Sequence, residues 1–250
     1  MEYININTGT KPYLLVINGF LSPNSNLDNF IKHFKIKYNI LLPLLPGTDN
    51  KPCDFVDLTS LVQDIENYCS TNNIKIEYLY GVSMGGVIAS LVTTRQIIKP
   101  KVLIMESSPI LGFNNIMTKL LTREYIIMCD KLRKGDKKLI TKACNTILRD
   151  PSLISDFTTL LNNTSNDDIK NYISEINKYK MTVTKLDTKI CYIYGSSFNE
   201  LFMRRCSKFI KKNYKNSLVT KIKGDHLEMA LFDEKNHHKI IENLLNQELS

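Results

Sequence analysis

The stretch YLYGVSMGGVIAS, Tyr78 to Ser90, decides how this chain is read. It joins an apolar run of strand length to a helical pattern, with a lone hydroxyl at the junction. Gly81, Gly85, Gly86 and Ala89 strip bulk from both sides of Ser83, so something must approach that serine closely. Gly81-Val82-Ser83-Met84-Gly85 satisfies G-x-S-x-G, and a strand before it with a helix after it is the context that gives the motif meaning. A serine on so sharp a turn sits in strained backbone geometry that only small neighbours permit. Its hydroxyl would project from the C-terminal edge of a sheet, where the helix N-terminus offers positive partial charge to a developing anion.

Working outward, short apolar runs recur between helical patterns. Pro12–Gly19, Tyr38–Gly47, Ile76–Val82, Lys101–Ser108, Lys189–Ser196 and Ser217–Gly224 have strand length and end at Gly, Pro, Ser or Val. Several are apolar on both faces, as buried parallel strands are. Helices are expected at Leu27–Lys35, Leu58–Cys69, Met84–Ile98, Leu201–Lys212 and Glu234–Leu245. The alternation predicts a mostly parallel α/β sheet flanked by helices, with Tyr3–Thr8 pairing antiparallel at one edge. From Gly112 to Lys185 the alternation stops. Helical patterns at Asn114–Leu132, Lys137–Leu148 and Asp167–Tyr179, with a polar break at LNNTSNDD, make this a helical insertion. The expected organisation is therefore a core of residues 1–111 and 186–250, interrupted by an insertion over 112–185.

Composition narrows the function. At 250 residues and 43% hydrophobic, the chain can bury one sizeable core. Neither a signal peptide nor a membrane span is visible, and a cytoplasmic protein is expected. Six cysteines without a C-x-x-C pair speak against a disulfide framework and a zinc site, and are read as reduced, mostly buried thiols. The net charge of +8 comes without aromatic residues interleaved in a compact basic stripe, so nucleic acid is not an expected partner. The densest basic stretch, Lys119 to Arg149 with Arg133, Lys134, Lys137, Lys138 and Lys142, would attract an acidic substrate or an acidic carrier protein through its field.

A serine nucleophile needs a base. His33, His237 and His238 lie in helical patterns and read as surface residues. His226 instead follows the last strand and Gly224, in a loop that a parallel sheet places at the same edge as Ser83.

On VINGF (Val16–Phe20), LPLLPG (Leu42–Gly47), GVSMGG (Gly81–Gly86) and KGDHLEMA (Lys223–Ala230), the sequence resembles the α/β-hydrolase family along most of its length. The resemblance implies an oxyanion loop, a nucleophile elbow and a histidine loop in that order, with 112–185 as the cap. His226 obeys the family order of nucleophile, acid, histidine. Two departures stand out. Asn18 occupies the place where many members have histidine, and PGTDNKP (46–52) lacks the usual Gly-x-Gly-x-Ser ending.

By the resemblance the acid follows the seventh strand, three residues after a glycine, but that position from Gly195 is Phe198. Glu200, slightly further along GSSFNE, is the first choice. Glu106, ending the sixth strand, is the alternative. Asn199 would lack a charge, and Asp225 adjoins His226 too closely in sequence for their side chains to converge. The oxyanion hole implied is the pair of backbone amides of Phe20 and Met84. The expected function is a serine hydrolase cleaving a small-molecule carboxylic ester or thioester without metal or organic cofactor. Met117, Leu120, Leu121, Ile126, Ile127 and Met128 would line an apolar acyl pocket. Amide cleavage, a lyase reaction on the same fold, and a non-catalytic ligand binder are the alternatives.

Overall fold

The computed structural model describes residues 1–48 and 52–247. The middle of PGTDNKP and the last three residues of the second core segment lie outside the described residues. In chain order the elements are β1 Glu2–Ile6, β2 Tyr13–Ile17, α1 Asp28–Phe34, β3 Asn39–Leu44, α2 Leu58–Thr71, β4 Ile76–Val82, α3 Met84–Thr94 and β5 Val102–Glu106. There follow α4 Asn115–Arg133, α5 Lys137–Thr146, α6 Ile154–Asn163 and α7 Asn166–Lys178. The chain then gives β6 Lys189–Gly195, α8 Leu201–Asn213, β7 Leu218–Ile222, α9 Glu228–Phe232 and α10 Glu234–Leu245.

The seven strands form one sheet in the order β1-β3-β2-β4-β5-β6-β7. Only β1 is antiparallel, pairing with β3 at the edge from Glu2 opposite Leu44 to Ile6 opposite Ile40. Because strand residues alternate between faces, the sheet divides its apolar side chains between two cores. Leu15, Ile17, Leu79, Leu103 and Met105 pack with α2, α3 and α8. Leu14, Val16, Tyr80, Val102 and Ile104 pack with Phe30 and Phe34 of α1 and Ile241, Leu244 and Leu245 of α10. All five residues of β5 are buried, as a strand covered on both faces must be.

The four helices between β5 and β6 build a third core of their own. Cys129 and Leu132 of α4, Ala143 of α5, Phe157, Leu160 and Leu161 of α6 and Ile169 and Ile173 of α7 enclose it, and Leu21 reaches into it from the loop after β2. Two helices were not expected from the sequence. In α6 the spacing Ile154, Phe157, Leu160, Leu161 is helical but is diluted by Thr158, Thr159, Asn162 and Asn163, poor helix formers. The five-residue α9 is too short for periodicity to register.

Strand order reverses direction between β2 and β4: from β2 the chain moves outward to β3, then returns to place β4 on β2's other side. In open α/β sheets the crevice at the carboxyl ends of the strands, where the order reverses, is where ligands bind. Gly19 and Phe20 leave β2 there, and Ser83 leaves β4 beside them.

Candidate active site

Ser83 has φ +53° and ψ −117°, a strained conformation for a residue with a Cβ. The neighbouring glycines make room for protein backbone. A Cβ on Gly81 would lie 2.7 Å from Gly86 Cα, and one on Gly85 would lie 2.7 Å from the Ile17 carbonyl carbon. The turn is thus wedged between β2 and the start of α3. The Ser83 amide donates to the Glu106 carbonyl at 2.8 Å, which ties the turn to β5. The hydroxyl is left facing a cavity.

His226 stands across from it. Its Nε2 is 3.1 Å from Ser83 Oγ, and its Nδ1 is 2.8 Å from Glu200 Oε1. With Nδ1 donating to the carboxylate, Nε2 is left to accept the serine hydroxyl proton. Glu200 Oε2 accepts from Ser107 Oγ at 2.7 Å and from the Gly195 amide at 3.0 Å. Burial alone would push the Glu200 carboxyl up. The hydrogen bond and charge of His226, the Ser107 hydroxyl and the Gly195 amide together hold it below the ordinary range. Leu227, which follows the histidine, and Ser107 adopt φ of +58° and +46°, so strained backbone surrounds the site on three loops.

Two residues weighed from sequence hold the histidine loop instead of the ring. Asp225 Oδ1 accepts from the His226 amide and from Ser197 Oγ, both at 2.8 Å, and its Oδ2 accepts from Asn199 Nδ2 at 2.8 Å. They staple the loop after β6 to the loop after β7.

Glu106 does not reach His226. Its side chain leaves β5 on the α10 face, where Oε2 accepts from Tyr80 Oη at 2.6 Å and lies 2.7 Å from His237 Nε2. Strand alternation explains this, since Val102 and Ile104 point to the same face. His237 and His238, read from sequence as surface residues, are buried at 1% and 8% exposure, because α10 packs that side against α1. His33 is half-exposed and lies 3.2 Å from Glu242 Oε1.

The loop after β2 comes close to the serine: a Cβ on Gly19 would lie 3.5 Å from Ser83 Cβ. Asn18, the departure from the family pattern, is buried and shapes this loop. Its Oδ1 accepts from the Gly19 amide at 2.8 Å, and its Nδ2 donates to the Ser22 carbonyl at 3.0 Å. Among the described residues, no hydrogen bond is made by the amide of Phe20 or Met84. The Phe20 ring packs on Tyr172 at 4.6 Å and Tyr125 at 6.2 Å, joining the loop to α7 and α4. Sequence reasoning missed the parts of Asn18 and Ser107, which act through carbonyls and a distant carboxylate that no local motif encodes.

The cavity above Ser83 measures about 460 Å³ and is mainly apolar. Leu21, Ser83, His226, Leu227 and Leu231 form its floor. Tyr125, Ile127, Met128, Leu139, Ile147 and Phe157 form its upper wall, with Glu124, Lys131, Lys142 and Thr146 at its polar points. Of the α4 residues expected to line a pocket, Ile127 and Met128 do so. Met117 and Leu120 are exposed, because the cavity takes only the later half of α4, from Glu124 to Lys131, and Leu121 and Ile126 pack on the third core. Arg133 also turns inward, donating to the Leu161 carbonyl at 2.9 Å.

Among the described residues, no group of three or more His, Cys, Asp or Glu is placed to hold a metal ion. The six cysteines are unpaired, four of them buried.

No protein-family model matches the sequence, and no curated protein matches it. Solved structures do. An alpha/beta hydrolase family protein from Desulfitobacterium hafniense superposes with a TM-score of 0.79 at 15% identity, over 98% of this chain and 100% of that one. A structure from a study of Nitrososphaera gargenis carboxylesterases gives 0.75 at 17% identity, over 98% and 93% of the two chains. MenH from S. aureus gives 0.72 at 17% identity, over 98% and 97%. The fold is that of the α/β hydrolases.

Proposed function

We propose that this protein is a serine hydrolase that cleaves a carboxylic ester or thioester through an acyl-enzyme on Ser83. The observation that carries the reading is the chain of contacts from Ser83 Oγ through the His226 ring to Glu200, at 3.1 and 2.8 Å, at an apolar cavity.

In this mechanism His226 Nε2 takes the hydroxyl proton as Ser83 Oγ attacks the acyl carbonyl carbon. Glu200 holds Nδ1–H and stabilises the imidazolium. The carbonyl oxygen becomes an oxyanion held by the Phe20 and Met84 amides, and each such donor is worth about 10²–10³ in turnover. Collapse breaks the acyl–oxygen or acyl–sulfur bond, and the imidazolium returns its proton to the leaving group. Water, deprotonated by the same nitrogen, then releases the carboxylic acid and restores Ser83.

A cavity of this size suits a drug-sized acyl group rather than a polymer chain. Residues 112–185 act as a cap whose helices supply the acyl wall. The unpaired thiols support a cytoplasmic setting.

A fluorophosphonate probe tests the reading directly. It should label the wild type and fail on Ser83→Ala, and a series of p-nitrophenyl esters and acyl thioesters of graded length should then rank the substrates. A folded wild-type protein that takes up no probe would make this a binder on a hydrolase scaffold.

A further inference from the structure

We propose that the outward face of α4 docks on an anionic lipid surface, with the mouth of the cavity turned towards it. Exposed apolar bulk is one support. Five of the molecule's exposed large hydrophobic residues fall on this single helix, among them Ile116 at 79% and Leu120 at 49% exposure, with Ile127 at 38%. Ile116, Leu120 and Ile127 are four and seven residues apart, so they form one stripe along a helix of about 28 Å.

Charge is the second, independent support. Residues 115–146, which make up α4, α5 and their connection, hold eight Lys or Arg against three Asp or Glu, a net +5 out of the chain's +8. Seven of those eight cations are exposed, including Lys119, Arg123 and Lys131, whereas Glu124 is the one exposed acid in the segment. An apolar stripe flanked by cations on one helix is what lies in the plane of an anionic bilayer surface. A purely acidic protein partner would be met by the cations and would have no use for Ile116 or Leu120.

The position of the face matters. Ile127 and Lys131 belong both to this surface and to the cavity wall, so a helix resting on lipid opens the cavity at the interface. Among the described residues no helix is long and apolar enough to cross a membrane, so the contact is one of docking. Docking stands on this surface alone; only its consequence, that the acyl substrate is drawn from the lipid phase, rests on the proposed hydrolase reading.

The test uses the full chain carrying Ser83→Ala, so that binding is read without turnover. It should co-sediment with phosphatidylcholine vesicles holding roughly one-third phosphatidylglycerol, and not with phosphatidylcholine alone. Raising the salt to about 0.5 M should release it. Lys119→Gln or Arg123→Gln should each lower partitioning about fivefold, and Ile116→Ser with Leu120→Ser should lower it at least tenfold at unchanged melting temperature. Absence of binding to the anionic vesicles overturns the proposal. So does binding that ignores the Ile116 and Leu120 changes, a dimer by light scattering that those changes dissociate, or capture of an acidic acyl carrier protein that depends on the cations alone. Probe labelling of the unmodified serine, measured separately, tells failure of docking from failure of the hydrolase reading.

Discussion

Two glutamate–histidine pairs stand at the carboxyl ends of neighbouring strands, and their contacts are almost the same length. Glu200 lies 2.8 Å from His226, and Glu106 lies 2.7 Å from His237. What separates them is how open each ring is and what else it meets. The His226 side chain is 38% exposed and turns its free nitrogen to a serine at the floor of a cavity. The His237 side chain is 2% exposed, and the same Nε2 that meets Glu106 lies 3.4 Å from the Tyr80 phenol, whose ring is stacked in turn on Phe30. A carboxylate–imidazole pair does chemistry only when its second nitrogen meets a nucleophile in an open space; closed on all sides, it is part of the core. Burial would push the Glu106 carboxyl up, but the charge and hydrogen bond of His237 and the Tyr80 hydroxyl hold it down. Tyr80 is raised well above its ordinary value by burial and by that carboxylate.

The largest expected effect falls on the outer pair. Glu200→Gln should lower ester kcat by about 10⁴-fold, since the amide fixes the wrong tautomer and leaves the imidazolium unstabilised. Labelling of Ser83 by a fluorophosphonate should slow without being blocked by steric change, because glutamine keeps the shape. Glu106→Gln should leave the turnover of folded protein unchanged to within severalfold. If the two results exchange places, the acid has been misassigned.

Next comes His226→Ala, for which a fall of about 10²–10⁴-fold is expected in protein that still folds, at a melting temperature lowered by the loss of Glu200's partner. The ring is partly exposed and the loop is held independently by Asp225, Ser197 and Asn199. A variant that keeps near wild-type activity would remove His226 from the mechanism.

How much of this was legible beforehand follows from the same contrast. Ser83 and His226 announce themselves, one by a five-residue motif in the right context and the other by following the last strand. Between the two glutamates only a preference for Glu200 was available, because the choice depends on which face each carboxylate leaves. Glu106 shares its parity with Val102 and Ile104, which pack towards α1 and α10. That parity is written in the sequence, yet it names a face only once α10 is known to lie there. Glu200 ends a single 3₁₀ turn, Phe198–Glu200, at the start of α8, too short for a period to show direction. His237 and His238 were read as surface residues because a polar side chain on a helix is usually solvated; burial became affordable only through Glu106 and the aromatic bed of α1. The strands were easy for the opposite reason, being apolar runs cut off by Gly, Pro and Ser.

The inner pair should answer in stability. Glu106→Gln removes the charge that faces His237 and should cost about 3–5 kcal/mol, the usual result of breaking a buried pair on one side. For a chain of this size that is roughly 2–4 °C in Tm for each kcal/mol. Glu106 Oε1 already lacks a partner among the described residues, so the pair is not fully satisfied. The double variant Glu106→Leu with His237→Leu should therefore recover much of the loss, as apolar replacements of buried pairs do. Equal losses in the single and double variants, measured by urea unfolding, would mean that the pair is not coupled.

The smallest effect concerns His238, the inner pair's neighbour, and it is a matter of pH. His238 packs between His33, at 4.6 Å and stacked, and the edges of Phe30 and Phe34 at 5.8 and 5.6 Å. Burial, then the charges of His33 and His237, push it down to about 4, with Glu242 opposing. The folded state therefore keeps this ring neutral while the unfolded chain protonates near pH 6.5. The unfolded state binds more protons between those values, so the contribution is fully present above pH 6.5 and is lost as pH falls towards 4. Glu242, held low by the Lys37 hydrogen bond, loses its own contribution in the same direction at still lower pH. Tm should drop across the window from 6.5 to 4, and His238→Phe, which suits the aromatic bed, should flatten that slope while leaving ester turnover at neutral pH unchanged. A wild-type Tm that is level between pH 6.5 and 4, or a slope that survives in His238→Phe, would show that this ring titrates in the folded protein much as it does in the open chain.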